Sequence, residues 1–314
     1  MKVTMICGYP ASGKSTVTNQ LLASSTPSLV LNRDTEGGSI ADLLPKLESH
    51  LKSRVFTNVI LDNLFPTVDS RKPFIDLCKK HAVAINCNLM DTSIEDAQFN
   101  AVQRAITLLG TFPNPEDIKK AKHPNVFPPT VLFKYKKDFQ KPTVAEGFDT
   151  VETIPFVRKV DPSFTNKALL LDYDGTLREC VGGNGQYPVQ ESEIEIKPNR
   201  KLILDKFQSE GFRLLGISNQ SGVHKGILTF EKASKLFEHT NKLLGVDIEY
   251  RFCPHQSAPI SCYCRKPMAG AFIHFMMKYK LNPKECIFVG DMTTDKTMAT
   301  RAGIQYVDQA EFFK

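Results

Sequence analysis

Two groups of residues in this chain suit phosphate chemistry, and they suit opposite reactions. Gly8-Tyr9-Pro10-Ala11-Ser12-Gly13-Lys14-Ser15-Thr16 has the spacing of a phosphate-binding loop. Its glycines would let backbone amides turn inward around the phosphates of ATP. Lys14 would reach the β- and γ-phosphates, and the Ser15 hydroxyl would bind Mg²⁺. Gly8, Ala11, Ser12, Gly13, Lys14, Ser15 and Thr16 are therefore the expected nucleotide-binding set. The second group opens with Asp172-Tyr173-Asp174-Gly175-Thr176. Side chains two residues apart on a strand share a side, so both carboxylates would face one site. Asp172 would be a nucleophile and Mg²⁺ ligand. Asp174 would protonate the leaving oxygen and later activate water. Those roles need different protonation states, which burial and a metal can separate. Ser218, in Ser218-Asn219-Gln220-Ser221-Gly222, offers a hydroxyl to phosphate oxygens, and Lys266 would steady the transferred group. Gly290-Asp291-Met292-Thr293-Thr294-Asp295 returns carboxylates to the metal, giving Asp172, Asp174, Asp291 and Asp295 as the expected Mg²⁺ set.

Cys253, His255, Cys262 and Cys264 form a third group. Thiolate and imidazole ligands in a set of four suit tetrahedral Zn²⁺. No position is left open for substrate, so this zinc would be structural. It would lie two residues from Lys266 and fix that loop. Cys7, Cys78, Cys87, Cys180 and Cys286 are expected to be buried apolar fillers.

The elements that must position these groups follow from hydrophobic periodicity. Strands are expected at Lys2 to Cys7, Ser28 to Leu31, Val55 to Leu61 and Ala82 to Asn86, and a helix from Ser15 to Leu22. Helical patterns lie at 40–53, 70–80 and 93–109, with a proline-rich irregular stretch at 112–130. A second alternation begins after Asp161-Pro162. Its strands are expected at Ala168 to Leu171, Arg213 to Ile217, Ile248 to Arg251 and Cys286 to Val289. Its helices are expected at Arg200 to Gln208, Phe230 to Leu244, Ala269 to Lys278 and Thr294 to Ala302. Strands alternating with helices give parallel sheets. The expected fold is α/β with two doubly wound parallel-sheet domains, 1–160 and 165–314, joined near 161–166. There is no internal repeat.

Length and composition agree. A chain of 314 residues has room for two cores, and 41% hydrophobic with 24% charged residues is ordinary for a globular protein. No apolar run approaches 18 residues, so no membrane span is expected. With the loop starting at residue 8 there is no room for a presequence, and a cytoplasmic or nuclear location is expected. Net charge is only +6, but Lys119 to Lys141 holds seven lysines and one acid, Asp138, with interleaved aromatics. Such a segment can follow a nucleic-acid backbone or simply be a solvated face.

Four further segments carry a resemblance. They are Leu31-Asn32-Arg33-Asp34, Asp62-Asn63, Arg71 within Ser70-Arg71-Lys72-Pro73-Phe74-Ile75, and Lys141-Pro142-Thr143-Val144-Ala145-Glu146-Gly147-Phe148 leading to Ile154-Pro155-Phe156. With the phosphate loop, they resemble the P-loop kinase domain of polynucleotide kinase–phosphatase over about the first 157 residues. The resemblance implies ATP-dependent phosphorylation of 5′-hydroxyl ends of DNA or RNA. Asp34 matches the general base, Arg104 falls at the lid arginine, and Asp62 would orient Mg²⁺ or substrate. The four motifs around Asp172 identify the second half as a member of the haloacid-dehalogenase-type phosphatases, Rossmannoid with a minimal cap. Its Cys-x-Cys-Arg-Lys-Pro segment is similar to the zinc loop of the heptose-bisphosphate and histidinol-phosphate phosphatases. The eukaryotic repair enzyme usually carries its phosphatase first and lacks that loop, so the kinase-first order here is phage-like.

The expected function is therefore nucleic-acid end healing. ATP would phosphorylate 5′-hydroxyl ends, and phospho-Asp172 chemistry would remove 3′-phosphates. The substrate partners are DNA or RNA ends, and a ligase is the functional partner implied. One alternative is a small-molecule kinase fused to a sugar- or histidinol-phosphate-type phosphatase. Another is a non-catalytic module that binds nucleic-acid ends.

Overall fold

A computed structural model describes the chain except for residues 24–26 and 183–185. Two compact units divide it. The first holds Met1–Ala101 with His123–Arg158, and the second holds Val102–Lys122 with Lys159–Lys314. Residues 102–122, which a single cut near 161–166 would leave with the first domain, cluster with the second.

In the first unit the strands are β1 (Lys2–Cys7), β2 (Ser28–Leu31), β3 (Asn58–Asp62), β4 (Ala84–Asp91) and β5 (Thr150–Pro155), in the order β2-β3-β1-β4-β5. Every pairing is parallel. β1 and β3 are nearly continuous apolar runs because parallel strands covered on both faces meet no water. The helices are α1 (Lys14–Leu22), α2 (Arg33–Glu36), α3 (Leu43–Ser53), α4 (Val68–Lys80) and α5 (Ile94–Leu109), the last crossing into residues grouped with the second unit. α6 (Pro115–Lys120) lies in that group, and α7 (Pro129–Asp138) returns to the first unit. The core joins Val3, Met5, Leu61 and Ile85 of the sheet to Leu47 and Phe74 of the helices.

The second unit repeats the plan. Its parallel sheet has the order β10-β9-β6-β11-β12. β6 is Ala168–Leu171, β7 Arg178–Cys180, β8 Ile194–Ile196, β9 Arg213–Asn219, β10 Glu249–Cys253, β11 Ile287–Gly290 and β12 Gln305–Asp308. The helices are α8 (Arg200–Ser209), α9 (Ser221–His224), α10 (Phe230–Leu244), α11 (Gly270–Tyr279), α12 (Thr293–Ala302) and α13 (Gln309–Phe312). β7 and β8 form a separate antiparallel pair, between β6 and α8 in chain order.

Several expectations need correction. The strand expected from Val55 begins at Asn58, and Val55 is 67% exposed. β4 runs on to Asp91 rather than stopping at Asn86. The stretch 112–130 is not wholly irregular, since prolines at first helical positions start α6 and α7. β5 and β12 were not expected. Both lie at sheet edges, where mixed polar sequence leaves no buried period to read. Cys180 is only half-buried, unlike Cys7, Cys78, Cys87 and Cys286.

Candidate active sites

The loop after β1 wraps around the start of α1. Gly8 is required by a close approach: a Cβ there would lie 2.7 Å from Met90 Cβ and 2.8 Å from Ser12 Oγ. Ala11 and Gly13 take left-handed backbone, which turns successive amides inward. Lys14 is buried, and its Nζ donates to the carbonyls of Gly8 at 3.1 Å and Tyr9 at 2.7 Å. Two residues not singled out from the sequence brace the loop. Thr92 Oγ1 donates to Ser12 O, and Asn100 Nδ2 donates to Ala11 O, both at 2.9 Å. Ser12 Oγ is buried without a hydrogen bond, so a phosphate oxygen would answer it. Ser15 and Thr16 are exposed at the start of α1.

The other first-unit candidates fall into three situations. Asp62 ends β3 beside β1 and accepts from Thr18 Oγ1 at 3.0 Å, one turn beyond Ser15. Asn63 next to it accepts from Arg33 N and donates to Leu31 O, which fixes the entry to α2. Asp34 sits in that short helix, exposed, its carboxylate 2.9 Å from Arg33 Nη2. Arg104 is half-buried on the part of α5 that groups with the second unit. Arg71 and Glu146, from two of the segments behind the resemblance, meet in a buried fork. Arg71 Nε and Nη2 donate to Glu146 Oε2 and Oε1 at 2.7 and 2.8 Å, and Nη1 donates to Phe65 O. They tie the η-turn at 144–146 to α4.

The second site lies at the carboxyl ends of β6, β9 and β11, where open α/β sheets bind ligands. Asp172, Asp291 and Asp295 bring carboxylate oxygens within 4.8 Å of one another. Gly175 is the residue that allows this. Its φ is +80°, and a Cβ there would fall 2.3 Å from Asp291 Oδ2. Lys266 Nζ is buried 2.7 Å from Asp172 Oδ1 and 2.8 Å from Ile217 O. It also lies 2.7 Å from Asp295 Oδ1, but that buried oxygen has no aligned hydrogen bond. Burial pushes the Asp172 carboxyl up to about 7, against the pull of Lys266. Burial and then Asp295 raise Asp291 as well. Three carboxylates facing one ammonium, two of them buried and Asp291 at the surface, leave an excess of negative charge. With one oxygen unanswered, the set fits a hard divalent cation such as Mg²⁺.

Asp174 departs from expectation. It is outside the carboxylate trio. Its Oδ1 accepts from Arg178 Nε at 2.8 Å, and its Oδ2 accepts from Gln220 Nε2 at 2.6 Å. Arg178 is itself buried, with Nη1 on Leu236 O and Thr240 Oγ1 and its guanidinium over the Phe237 ring. Gln220 also touches Ser218 Oγ at 3.3 Å. Asn219 clamps the backbone of Lys266 from both sides, Nδ2 to Lys266 O and Oδ1 from Lys266 N. Sequence reading missed Arg178; the available signal was a lone arginine four residues after Asp174 on an apolar turn.

Cys253, His255, Cys262 and Cys264 converge as expected. Cys253 Sγ lies 3.6 Å from Cys262 Sγ and 3.5 Å from His255 Nδ1, which is 3.2 Å from Cys264 Sγ. Ligands about 2.3 Å from one tetrahedral centre sit at about this mutual spacing. Hydrogen bonding from Cys253 and Cys264 drives the Cys262 thiol down, while Cys253 and Cys262 drive Cys264 up. A central cation would let all three ionise. Cys253 ends β10 and Cys264 precedes Lys266, so the cluster ties an edge strand to the lysine loop.

Comparison with known proteins gives matches in both halves of the chain. The AAA domain family model matches residues 3–107, and the HAD-hydrolase-like model matches residues 263–307. A probable D-glycero-D-manno-heptose-1,7-bisphosphate 7-phosphatase of Thermoplasma volcanium is 34% identical over 130 residues, covering 40% of this chain and 85% of the relative. The bifunctional polynucleotide phosphatase/kinase of Schizosaccharomyces pombe is 30% identical over 156 residues, 49% of this chain but only 34% of the relative. Among solved structures, the Pnkp1/Rnl/Hen1 complex matches over 98% of this chain and 95% of that one, at 15% identity and a TM-score of 0.34.

Proposed function

We propose, for a chain that belongs to the haloacid-dehalogenase-like family of the heptose-1,7-bisphosphate 7-phosphatases and carries an AAA-type P-loop kinase domain, a function in healing nucleic-acid ends. The observation that carries it is the pairing of two phosphate-type sites on one chain, one around Lys14 and one around Asp172. The similarity to a named polynucleotide phosphatase/kinase supports that choice of substrate.

In the kinase reaction the 5′-hydroxyl oxygen attacks the γ-phosphorus of ATP and the bond to the β-phosphate oxygen breaks. Asp34 takes the hydroxyl proton. Lys14 neutralises charge on the β- and γ-phosphates, and the backbone N–H groups of Ala11 to Thr16 hold them in line. Ser15 and Asp62 would hold Mg²⁺.

In the phosphatase reaction Asp172 attacks the phosphorus of a 3′-phosphate. The ester oxygen leaves with a proton from Asp174, and an acyl phosphate remains on Asp172. Asp174 then takes a proton from water, which attacks the same phosphorus and releases inorganic phosphate. Lys266 and Ser218 hold the phosphate oxygens. Asp172, Asp291 and Asp295 would hold Mg²⁺, which neutralises the phosphate as it moves. Cys253, His255, Cys262 and Cys264 would hold a structural zinc.

The products, a 5′-phosphate and a 3′-hydroxyl, are the ends that a ligase joins. The test uses a 5′-hydroxyl, 3′-phosphate oligonucleotide with γ-labelled ATP, as DNA and as RNA. Label should enter the 5′ end, and inorganic phosphate should leave the 3′ end. The similarity to heptose-bisphosphate phosphatases favours a second reading, a sugar-phosphate phosphatase joined to a small-molecule kinase. Faster release of phosphate from a heptose 1,7-bisphosphate than from the oligonucleotide would select it.

A further inference from the structure

Helix α7 has two faces with different histories. Leu132 and Tyr135 are buried, and Tyr135 packs against Tyr9 of the phosphate loop with ring centroids 5.0 Å apart. Phe139, just past the helix, stacks on Tyr135 at 5.3 Å and reaches Tyr9 at 6.5 Å. The chain then binds the loop after β3: Gln140 N donates to Pro66 O, and Val68 N donates to Gln140 Oε1. That loop begins with Asn63, which fixes the entry to α2 and therefore Asp34. So the last turn of α7 lies at the phosphate loop, and the chain just after it joins the loop that anchors Asp34.

The outer face of this element carries Lys134, Lys136, Lys137 and Lys141, all exposed. Among the described residues these four have no ion-pair partner. Several other lysines of the same unit do, while Lys2 and Lys79 do not: Lys46 faces Glu36, Lys52 and Lys80 face Glu48, and Lys72 faces Asp76. Three such lysines on a helix packed on the phosphate loop, with Lys141 just beyond it and Asp138 the one acid among them, make a net positive ridge that favours a polyanion. The lysines at the other end of the basic segment, Lys119 to Lys122, group with the second unit and are not part of this ridge.

We infer that the outer face of α7 is a backbone track for the acceptor strand, engaging phosphates inward from the 5′-hydroxyl end while that end sits at the phosphate loop. The inference rests on the kinase half of the proposed function and specifies its acceptor as a strand several nucleotides long. The three helical lysines lie within one turn, about 5 Å along the axis, and Lys141 follows, so the ridge meets roughly two or three phosphates at ~3.4 Å each. The contacts are to phosphate, so they position the strand without reading its sequence.

The test is the full-length Lys134→Gln, Lys136→Gln, Lys137→Gln variant, assayed as a kinase on a 5′-hydroxyl oligonucleotide of a dozen nucleotides and on a nucleoside 3′-monophosphate. KM for the oligonucleotide should rise roughly 10-fold or more at 0.1 M salt, and the slope of log KM against log salt should fall by about two. KM for ATP, kinetics on the nucleoside 3′-monophosphate and hydrolysis of p-nitrophenyl phosphate should stay within about twofold. An unchanged oligonucleotide KM and salt slope would overturn the track alone. Equal losses on both acceptors would overturn it too, by placing the effect in the site itself. If the native chain phosphorylates no 5′-hydroxyl oligonucleotide, the functional reading falls and the track falls with it.

Discussion

Arg71 and Arg178 are both fully buried cations, and each holds a carboxylate in place. Their carboxylates differ in what they are for. Glu146 closes a turn, whose Thr143 N it also accepts, so the Arg71 pair is architectural. Arg71→Met would strand Glu146 as a buried charge and should cost about 3–5 kcal/mol. Adding Glu146→Leu should recover part of that, read as a urea midpoint between those of the single variant and the native chain. A double variant as unstable as the single one would show that the fork does more than balance charge. Asp174 is the proposed proton donor, so Arg178→Met should act on rate. A mispointed acid hurts esters with poor leaving groups most, since these need the proton. Alkyl phosphate hydrolysis should fall roughly 10-fold or more, and p-nitrophenyl phosphate hydrolysis much less. Equal losses on both would make Arg178 merely structural.

At the scale of elements, strand ends decide everything at these sites. β1, β3, β6, β9 and β11 each deliver a functional group at the carboxyl edge, because parallel strands place all their ends on one side. The lysine loop is the exception, since 254–266 has no strand or helix of its own. The cysteine–histidine cluster takes over that job. We expect about one Zn²⁺ per chain in protein purified without chelator. Stripping it should loosen 252–266, displace Lys266 and lower phosphatase activity by roughly 10-fold or more, the scale seen when metal-site support is lost. The kinase should survive. Elemental analysis finding no zinc, or a Cys262→Ser, Cys264→Ser variant with full phosphatase activity, would defeat the assignment.

At the scale of the whole molecule, the two sites belong to separate sheets with separate cores. Their activities should therefore separate by mutation. Lys14→Ala should abolish 5′-phosphorylation and leave 3′-phosphate release intact. Asp172→Asn should do the reverse, because an amide cannot form the acyl phosphate. Equal loss of both activities in either variant would contradict two independent sites. Among the described residues no helix is long and apolar enough to cross a membrane.

The sequence by itself determined which residue groups suit phosphate chemistry, and most of the scaffold. Glycine loops, aspartates two apart and clustered thiols are local patterns, and buried parallel strands advertise themselves as apolar runs. So the phosphate loop, the Asp172 motif and the four zinc-type ligands were all legible. Tertiary structure decided what depends on distant partners. Only packing shows that Asp174 turns to Arg178 and Gln220 instead of the other carboxylates. Edge strands β5 and β12 were illegible because one exposed side gives them no apolar run. Nor does the spacing of lysines reveal that α7 is fastened to Tyr9, since a tilted ring contact between residues 9 and 135 leaves no periodic trace in the chain.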